Sequence, residues 1–237
     1  MRKLSELVEV LSDSTIAVWP KVVSVVPEGT VLMGGTALAT WLRHRRSEDL
    51  DLFTPDRFDP DPLEDSLARV GEFVLARKSA GHLHGTLDSV RLDILWNAGA
   101  VTLEAPITVA GLDVGSVPDI MAAKLAAITD RHILRDYFDV MCIETLGGIS
   151  IEQGLVLHAR RYGLSLRHSS IHALVRGLGY FADVKDDPML RATVGEDVRD
   201  RVVRHFQERH PQIVRAFQRG LGFAPMSDNA GRTCSGG

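Results

Sequence analysis

Residues 31–53 read VLMGGTALATWLRHRRSEDLDLF, and the rest of the chain is arranged around this stretch. A short apolar strand, Val31 to Met33, runs into a glycine pair, Gly34–Gly35. A compact helix over about Thr36 to His44 follows, and a second strand then carries two carboxylates, Asp49 and Asp51. Paired glycines suit a turn that takes positive φ or lets the backbone come close to a ligand. Side chains alternate along an extended chain, so Asp49 and Asp51 share one face while Leu50 and Leu52 point into a core. Two carboxylates on one face repel each other unless a cation lies between them, and hard cations such as Mg²⁺ favour such oxygens. The glycine turn and the helix N-terminus set backbone N–H groups beside that strand, an arrangement suited to phosphate. A solvated strand edge that happens to carry Asp-Leu-Asp is the plainer alternative.

The chain of 237 residues is 45% hydrophobic, enough for one large core or two small ones. No run of about 18 apolar residues spans a membrane. The start, MRKLSELVEVLSDS, lacks the pattern of a signal peptide. Cys142 and Cys234 make neither a disulfide framework nor a metal knot, which fits a reducing cytoplasm. Charge is divided unevenly: residues 1–150 hold 14 Lys/Arg and 22 Asp/Glu, whereas residues 151–224 hold 12 and 8. The second part is thus the candidate surface for a polyanion, and the first supplies the carboxylates. Ordinary solvated helix faces would account for the basic excess equally well.

Along the chain, residues 3–26 have helical spacing, with Pro20 as a kink or a fresh start. Pro/Asp density marks a loop to about Asp61, and a short helix covers Pro62 to Arg69. Three strand-like pieces fill residues 72–96. In the last, Val90, Leu92, Ile94 and Trp96 form one face and Arg91, Asp93 and Leu95 the other. A carboxylate in so apolar a strand is costly unless paired or coordinated, so Asp93 is a candidate third ligand beside Asp49 and Asp51. His82 and His84 share a face before the hairpin and are expected to be exposed or hydrogen-bonded rather than metal-bound. Short extended pieces lead to a helix opened by Pro118 and Asp119. On it Lys124 either snorkels from the core edge or contacts phosphate. The next helix ends at Gly147–Gly148 and holds Arg135, Asp136 and Asp139 within one turn. Ser150 caps another to about Arg161. Helices follow near 169–177, 187–192 and 195–221, with Pro211 expected to split the last after His210. The layout is a mixed α/β part over 1–117, a helical part over 118–224, and a tail, 225–237, with the composition of disorder.

Gly34–Gly35, then RRSEDLDLF over 45–53, then Asp93 in VRLDIL together resemble the polymerase-beta-like nucleotidyltransferases. GGTALA before RxSxDLDLF, and downstream DIMAAKLAAITDRHILRDYFDV, narrow the resemblance to the AbiEii/AbiGii-type nucleotidyltransferase toxins of type IV toxin–antitoxin systems. It spans residues 30–142, and reaches the C-terminal helices by architecture alone. Where that family often has lysine around the second arginine, this chain has His132, Ile133 and Leu134.

The resemblance implies an α+β fold, a mixed sheet with flanking helices followed by an all-helical part that completes the cleft. It implies transfer of a nucleoside monophosphate from an NTP, release of pyrophosphate, an RNA acceptor such as a tRNA 3′ end, and a cognate antitoxin, the chain being a monomer without it. Asp49, Asp51 and Asp93 would hold two Mg²⁺ ions, with Mn²⁺ an alternative. Gly34, Gly35 and Thr36 would face the triphosphate, and Lys124 would approach its β/γ phosphates. Ser47, Lys124, Arg131, Asp136 and Asp139 would complete the nucleotide-binding set, the last three in the family's order, with either aspartate able to orient Lys124 or a base. Arg45 and Arg46 would bind phosphate or hold a loop. Ser47 is a candidate phosphorylation site. Two other readings compete: a transferase for a small-molecule or protein hydroxyl, and a non-enzymatic NTP-binding module.

Overall fold

The computed structural model describes residues 3–220, so the tail, Cys234 and the expected last residue of the final helix lie outside the described residues. The strands are β1 (Val31–Met33), β2 (Leu50–Thr54), β3 (Phe73–Ser79), β4 (His82–Leu87), β5 (Val90–Trp96), β6 (Ile107–Val109) and β7 (Leu112–Val114). They form one mixed seven-stranded sheet in the order β3-β4-β5-β2-β1-β7-β6. The β3-β4-β5 meander, the β6-β7 hairpin and the β1–β2 pair are antiparallel, while β2 and β5 pair in parallel, as do β1 and β7.

Period-two alternation divides the sheet into two chemically distinct faces. On one face Leu32, Leu50, Leu52, Leu83, Leu87, Leu92 and Ile94 are buried. There α1 (Asp13–Val23) packs against β5, and α3 (Pro60–Val70) against β3 and β4. Ser12 caps α1 through the Thr15 N–H, and Asp59 caps α3, which therefore begins two residues earlier than the Pro62 start expected from sequence. The opposite, front face carries cross-strand rows. Met33 stands opposite Asp51, Asp51 opposite Asp93, and Asp93 opposite His84. The next row runs Val31, Phe53, Leu95, His82. This is where the acidic residues collect.

From residue 117 onward the named elements are helices: α4 (Val117–Arg131), α5 (Leu134–Gly147), α6 (Ile151–Arg161), α7 (Ser169–Gly177), α8 (Pro188–Val194) and α9 (Val198–Gln218). Their starts follow the sequence signals. Ser116 caps α4, Ser150 and Gln153 form a capping box on α6, and Gly148 ends α5 at φ 73°. Tyr137, Phe181 and Phe206 pack ring to ring, with centroids 5.2–5.9 Å apart, where α5 meets α9. The helix that joins the two halves is α2 (Gly34–Leu42), which packs on both α4 and α5.

Three boundaries differ from the sequence reading. The glycine pair forms the first residues of α2 rather than a turn before it, and Arg43 ends the helix in the left-handed region at φ 51°. Asp49 falls one residue before β2. Pro211 sits inside α9 without splitting it. Contacts on both sides of that proline hold the helix together. Arg209 bonds Glu144 at 3.0 and 3.1 Å and Glu152 at 2.6 Å, His210 Nε2 lies 2.9 Å from the Val175 carbonyl, and Ile213 is buried. Among the described residues no single helix is long and apolar enough to cross a membrane.

Candidate active site

The site is built where β1 gives way to α2. Gly34 has φ +70°, and a Cβ there would overlap Oδ2 of Asp51. Glycine is thus required twice over, by conformation and by space. A Cβ on Gly35 would overlap Nη2 of Arg45. The glycine pair therefore packs directly on the acidic strand and on the arginine behind it.

Asp51 and Asp93 are cross-strand partners, with Asp49 two residues before Asp51. The Asp51 carboxyl is pushed above the usual carboxylate range. Burial is the largest cause; Lys124 pulls against it, and Asp49 and Asp93 add repulsion. The two outer carboxylates are occupied by cationic or ring N–H partners. Asp49 meets Nη2 of Arg91 and has Arg135 Nη1 at 4.0 Å, while Asp93 Oδ1 lies 2.7 Å from His82 Nε2 and 3.8 Å from His84 Nδ1. For that reason, among the described residues, no three His, Cys, Asp or Glu side chains stand together as a ready-made metal cage. The backbone brings the expected ligands together, while the side chains of Asp49 and Asp93 are turned toward other partners.

Behind this row lies a buried ionic network. Asp139, fully buried, accepts from Arg45 Nε at 2.7 Å and Nη2 at 2.9 Å, has Lys124 Nζ at 2.6 Å, and lies 2.9 Å from His44 Nε2. Lys124 Nζ also donates to Asp136 at 2.9 Å, and Arg131 grips the same carboxylate at 2.7 and 2.8 Å. Burial alone would raise both aspartates, yet the surrounding cations win. Arg45 and Lys124 hold Asp139 well below the usual range, and Lys124 and Arg131 lower Asp136. Lys124 is thus neither snorkelling nor offered to solvent. Two of its three N–H donors are engaged by both aspartates, which answers the question of which one orients it.

The loop between α2 and β2 is held from within. Thr36, fully buried, meets the Asp49 carbonyl and, at 2.9 Å, the Ser47 hydroxyl. A single hydroxyl proton cannot serve both, so Thr36 donates to the carbonyl and accepts from Ser47. The Thr36 side chain faces this loop, not the open front of the sheet, which corrects its expected place on the triphosphate. Ser47 is buried as well, its N–H bonded to the Val10 carbonyl at 3.0 Å. Of the two arginines weighed as phosphate binders or loop holders, Arg45 is buried and holds the loop to Asp139, whereas Arg46 is exposed.

The model of the nucleotidyl transferase AbiEii toxin family, type IV toxin–antitoxin system, matches residues 22–220. The chain belongs to this family. AbiEii membership makes it a nucleotidyltransferase. A relative from Aquifex aeolicus (strain VF5), the uncharacterized protein aq_aa25, is 26% identical over 160 residues, covering 66% of this chain and 75% of the other. Among solved structures, a "putative nucleotidyltransferase from H. pylori" is similar with TM-score 0.53 and 18% identity, covering 90% of this chain and 100% of that one, and supports the fold. JHP933 from Helicobacter pylori, at TM-score 0.43 and 14% identity over 88% and 99% of the two chains, is too distant to carry weight.

Within this AbiEii chain, His82 is hydrogen-bonded as expected, but that its partner is Asp93, and that Arg91 and Arg135 meet Asp49, escaped the sequence reading. Hairpin register could have found the first two, because Arg91 lies two residues from Asp93 on one face and His84, two residues from His82, is the cross-strand partner of Asp93. Arg135 had no such signal. It reaches Asp49 from another element and also pairs with Asp187 at 3.3 Å.

Proposed function

We propose that this AbiEii nucleotidyltransferase moves a nucleoside monophosphate from an NTP to an RNA hydroxyl, a tRNA 3′ end in the specific reading, with the protein in the cytoplasm and restrained by a cognate antitoxin. The observation that carries the proposal is the Asp51–Asp93 row lying against Gly34 at the start of α2, with the buried Lys124 network behind it. The acceptor oxygen bonds to the α-phosphorus, the α–β anhydride bond breaks, and pyrophosphate leaves. The Asp93 carboxylate, held by His82, is the group assigned to receive the hydroxyl proton. Backbone N–H groups of Gly34 and Gly35, at the N-terminus of α2, face the triphosphate. Lys124 acts from behind, fixing the α4–α5 pair and lending positive potential to Asp51.

The donor set fits a divalent cation. It offers carboxylate oxygens on one sheet face, one of them driven toward protonation by burial and by its acidic neighbours, a condition that Mg²⁺ or Mn²⁺ would relieve. Asp49, Asp51 and Asp93 would hold two such ions, which supply Lewis-acid stabilisation of charge on the phosphoryl oxygens. Arg91 and Arg135 would then be free for substrate phosphate. Ser47, beside Asp49, is proposed as a modification site whose phosphate would repel the carboxylates, after its loop opens.

The deciding experiment incubates the purified protein with each α-labelled NTP and total RNA, with and without EDTA. Label on tRNA that disappears with EDTA is expected. Label confined to protein or small alcohols would overturn the RNA acceptor, and EDTA-resistant labelling would overturn the metal assignment.

A further inference from the structure

Next to the carboxylate row, between the front of the sheet and the segment 97–106, lies a cleft of about 180 Å³ lined by Val31, Met33, Phe53, Glu104, Asp113 and Arg161 among others. Its position is tied to the site. Met33 is the cross-strand partner of Asp51, and Val31 and Phe53 pair one row further on, ~7 Å along the strands. A ribose spans that interval, so a nucleotide with its phosphates at Gly34–Gly35 has its base beside Val31 and Phe53.

The covering segment is anchored. The Asn97 N–H donates to the Thr54 carbonyl at 2.9 Å, the Leu103 and Glu104 N–H groups donate to Asp119 at 2.9 and 3.2 Å, and Val101 and Arg161 exchange two bonds of 2.9 Å. Asp119, buried at the start of α4, is filled by these bonds together with Ser116 and Arg161. Unused capacity remains around the cleft. Arg161 has a side chain only 5% exposed, and its buried Nε has no hydrogen-bond partner among the described residues. Among those residues no ion pair engages Glu104, and Asp113 is met by Thr108 through Oδ1 at 2.8 Å. Two carboxylates with free acceptors repel phosphate and welcome N–H donors, and the buried Arg161 beside them holds the cleft wall in place through Val101 and Asp119.

We propose that this cleft takes the ribose and base of the NTP, and that Glu104 and Asp113 select a base bearing an exocyclic amino group (cytosine, adenine or guanine) over uracil. The inference rests on the triphosphate lying at Gly34–Gly35, the start of α2, as proposed above. Uracil sets carbonyl oxygens where the other bases have NH₂, so it would bring acceptor against acceptor.

The test is calorimetric binding to the full chain, in Mg²⁺ buffer, of CTP, ATP, GTP, UTP and inorganic tripolyphosphate. The variants are Glu104→Gln combined with Asp113→Asn, and Thr102→Trp, which fills the cleft from an exposed loop position. The wild type should bind at least one amino-bearing NTP about tenfold or more tighter than UTP. The double variant should erase most of that ratio. Thr102→Trp should weaken NTP binding about tenfold and leave tripolyphosphate within about twofold. UTP binding as tight as the best NTP, or an unchanged NTP affinity in Thr102→Trp, would overturn the base pocket while leaving nucleotidyl transfer standing. A wild type that binds neither tripolyphosphate nor any NTP would overturn both.

Discussion

A methyl group at position 34 would overlap the Asp51 carboxylate, so Gly34 and Asp51 are fitted to each other across the β1–β2 pair. Gly34→Ala should therefore do two things at once. It should cost about 1–2 kcal/mol for the positive φ alone, read as a lower urea midpoint. It should also displace Asp51 and suppress nucleotidyl transfer far more than the stability loss accounts for. A Gly34→Ala protein with full activity would show that Asp51 does not act where the structure puts it.

Asp51→Asn should separate activity from stability. The folded carboxyl titrates above its unfolded value, so the stability it contributes is complete below about pH 3.9 and is lost as pH rises through the raised folded value, beyond which its ionised form opposes folding. The amide keeps the shape without the charge. Melting temperature should hold or rise, while transfer falls by on the order of 10²–10³-fold. A drop in melting temperature would mean that Asp51 has a stabilising partner in solution.

Asp139→Asn should behave in the opposite way. Its partners Arg45 and Lys124 would be left buried with too little negative charge, which costs about 3–5 kcal/mol. Arg45→Lys should rescue poorly, because one ammonium cannot reproduce the two parallel bonds. Urea unfolding measures both; wild-type stability in either variant would refute the network.

Acid should loosen the helical half through Glu144. Burial by itself would raise this carboxyl, but contacts from His205, Arg209 and the Ile151 N–H outweigh burial and hold it at about 2. Its unfolded value is about 4.3. The folded state thus binds fewer protons, and the stabilisation, on the order of 3 kcal/mol, is complete above about pH 4.3 and lost as pH falls toward about 2. Glu144→Gln should flatten the fall in stability between pH 5 and 3, followed as urea midpoint against pH. An unchanged slope would assign acid sensitivity to other groups.

The architecture was legible where local chemistry speaks for itself. Alternation marked β5, Pro118 and Asp119 marked the start of α4, Ser150 marked α6, and Gly147–Gly148 marked the end of α5. Glycine misled at Gly34–Gly35, because a residue type that usually interrupts helices here begins one, in a place that no side chain could occupy. Pro211 misled for a related reason, since neighbouring helices hold α9 on both sides of it. At the site, sequence named the carboxylates, and Lys124 with its aspartates, but not the cations that meet Asp49 or the ring that meets Asp93. Which cation a carboxylate meets depends on strand register and on helices distant in the chain, as with Asp49 and Arg135, and neither is written locally.

Arg45 and Asp139, whose side chains meet in two parallel bonds, stand 94 residues apart in the chain. A ribosome releasing this protein would expose Gly34, Asp51 and Asp93 well before Lys124 or α5 has emerged. The acidic row and the buried cations behind it therefore come together only after both halves of the chain have been made, so the site is assembled late in synthesis rather than strand by strand.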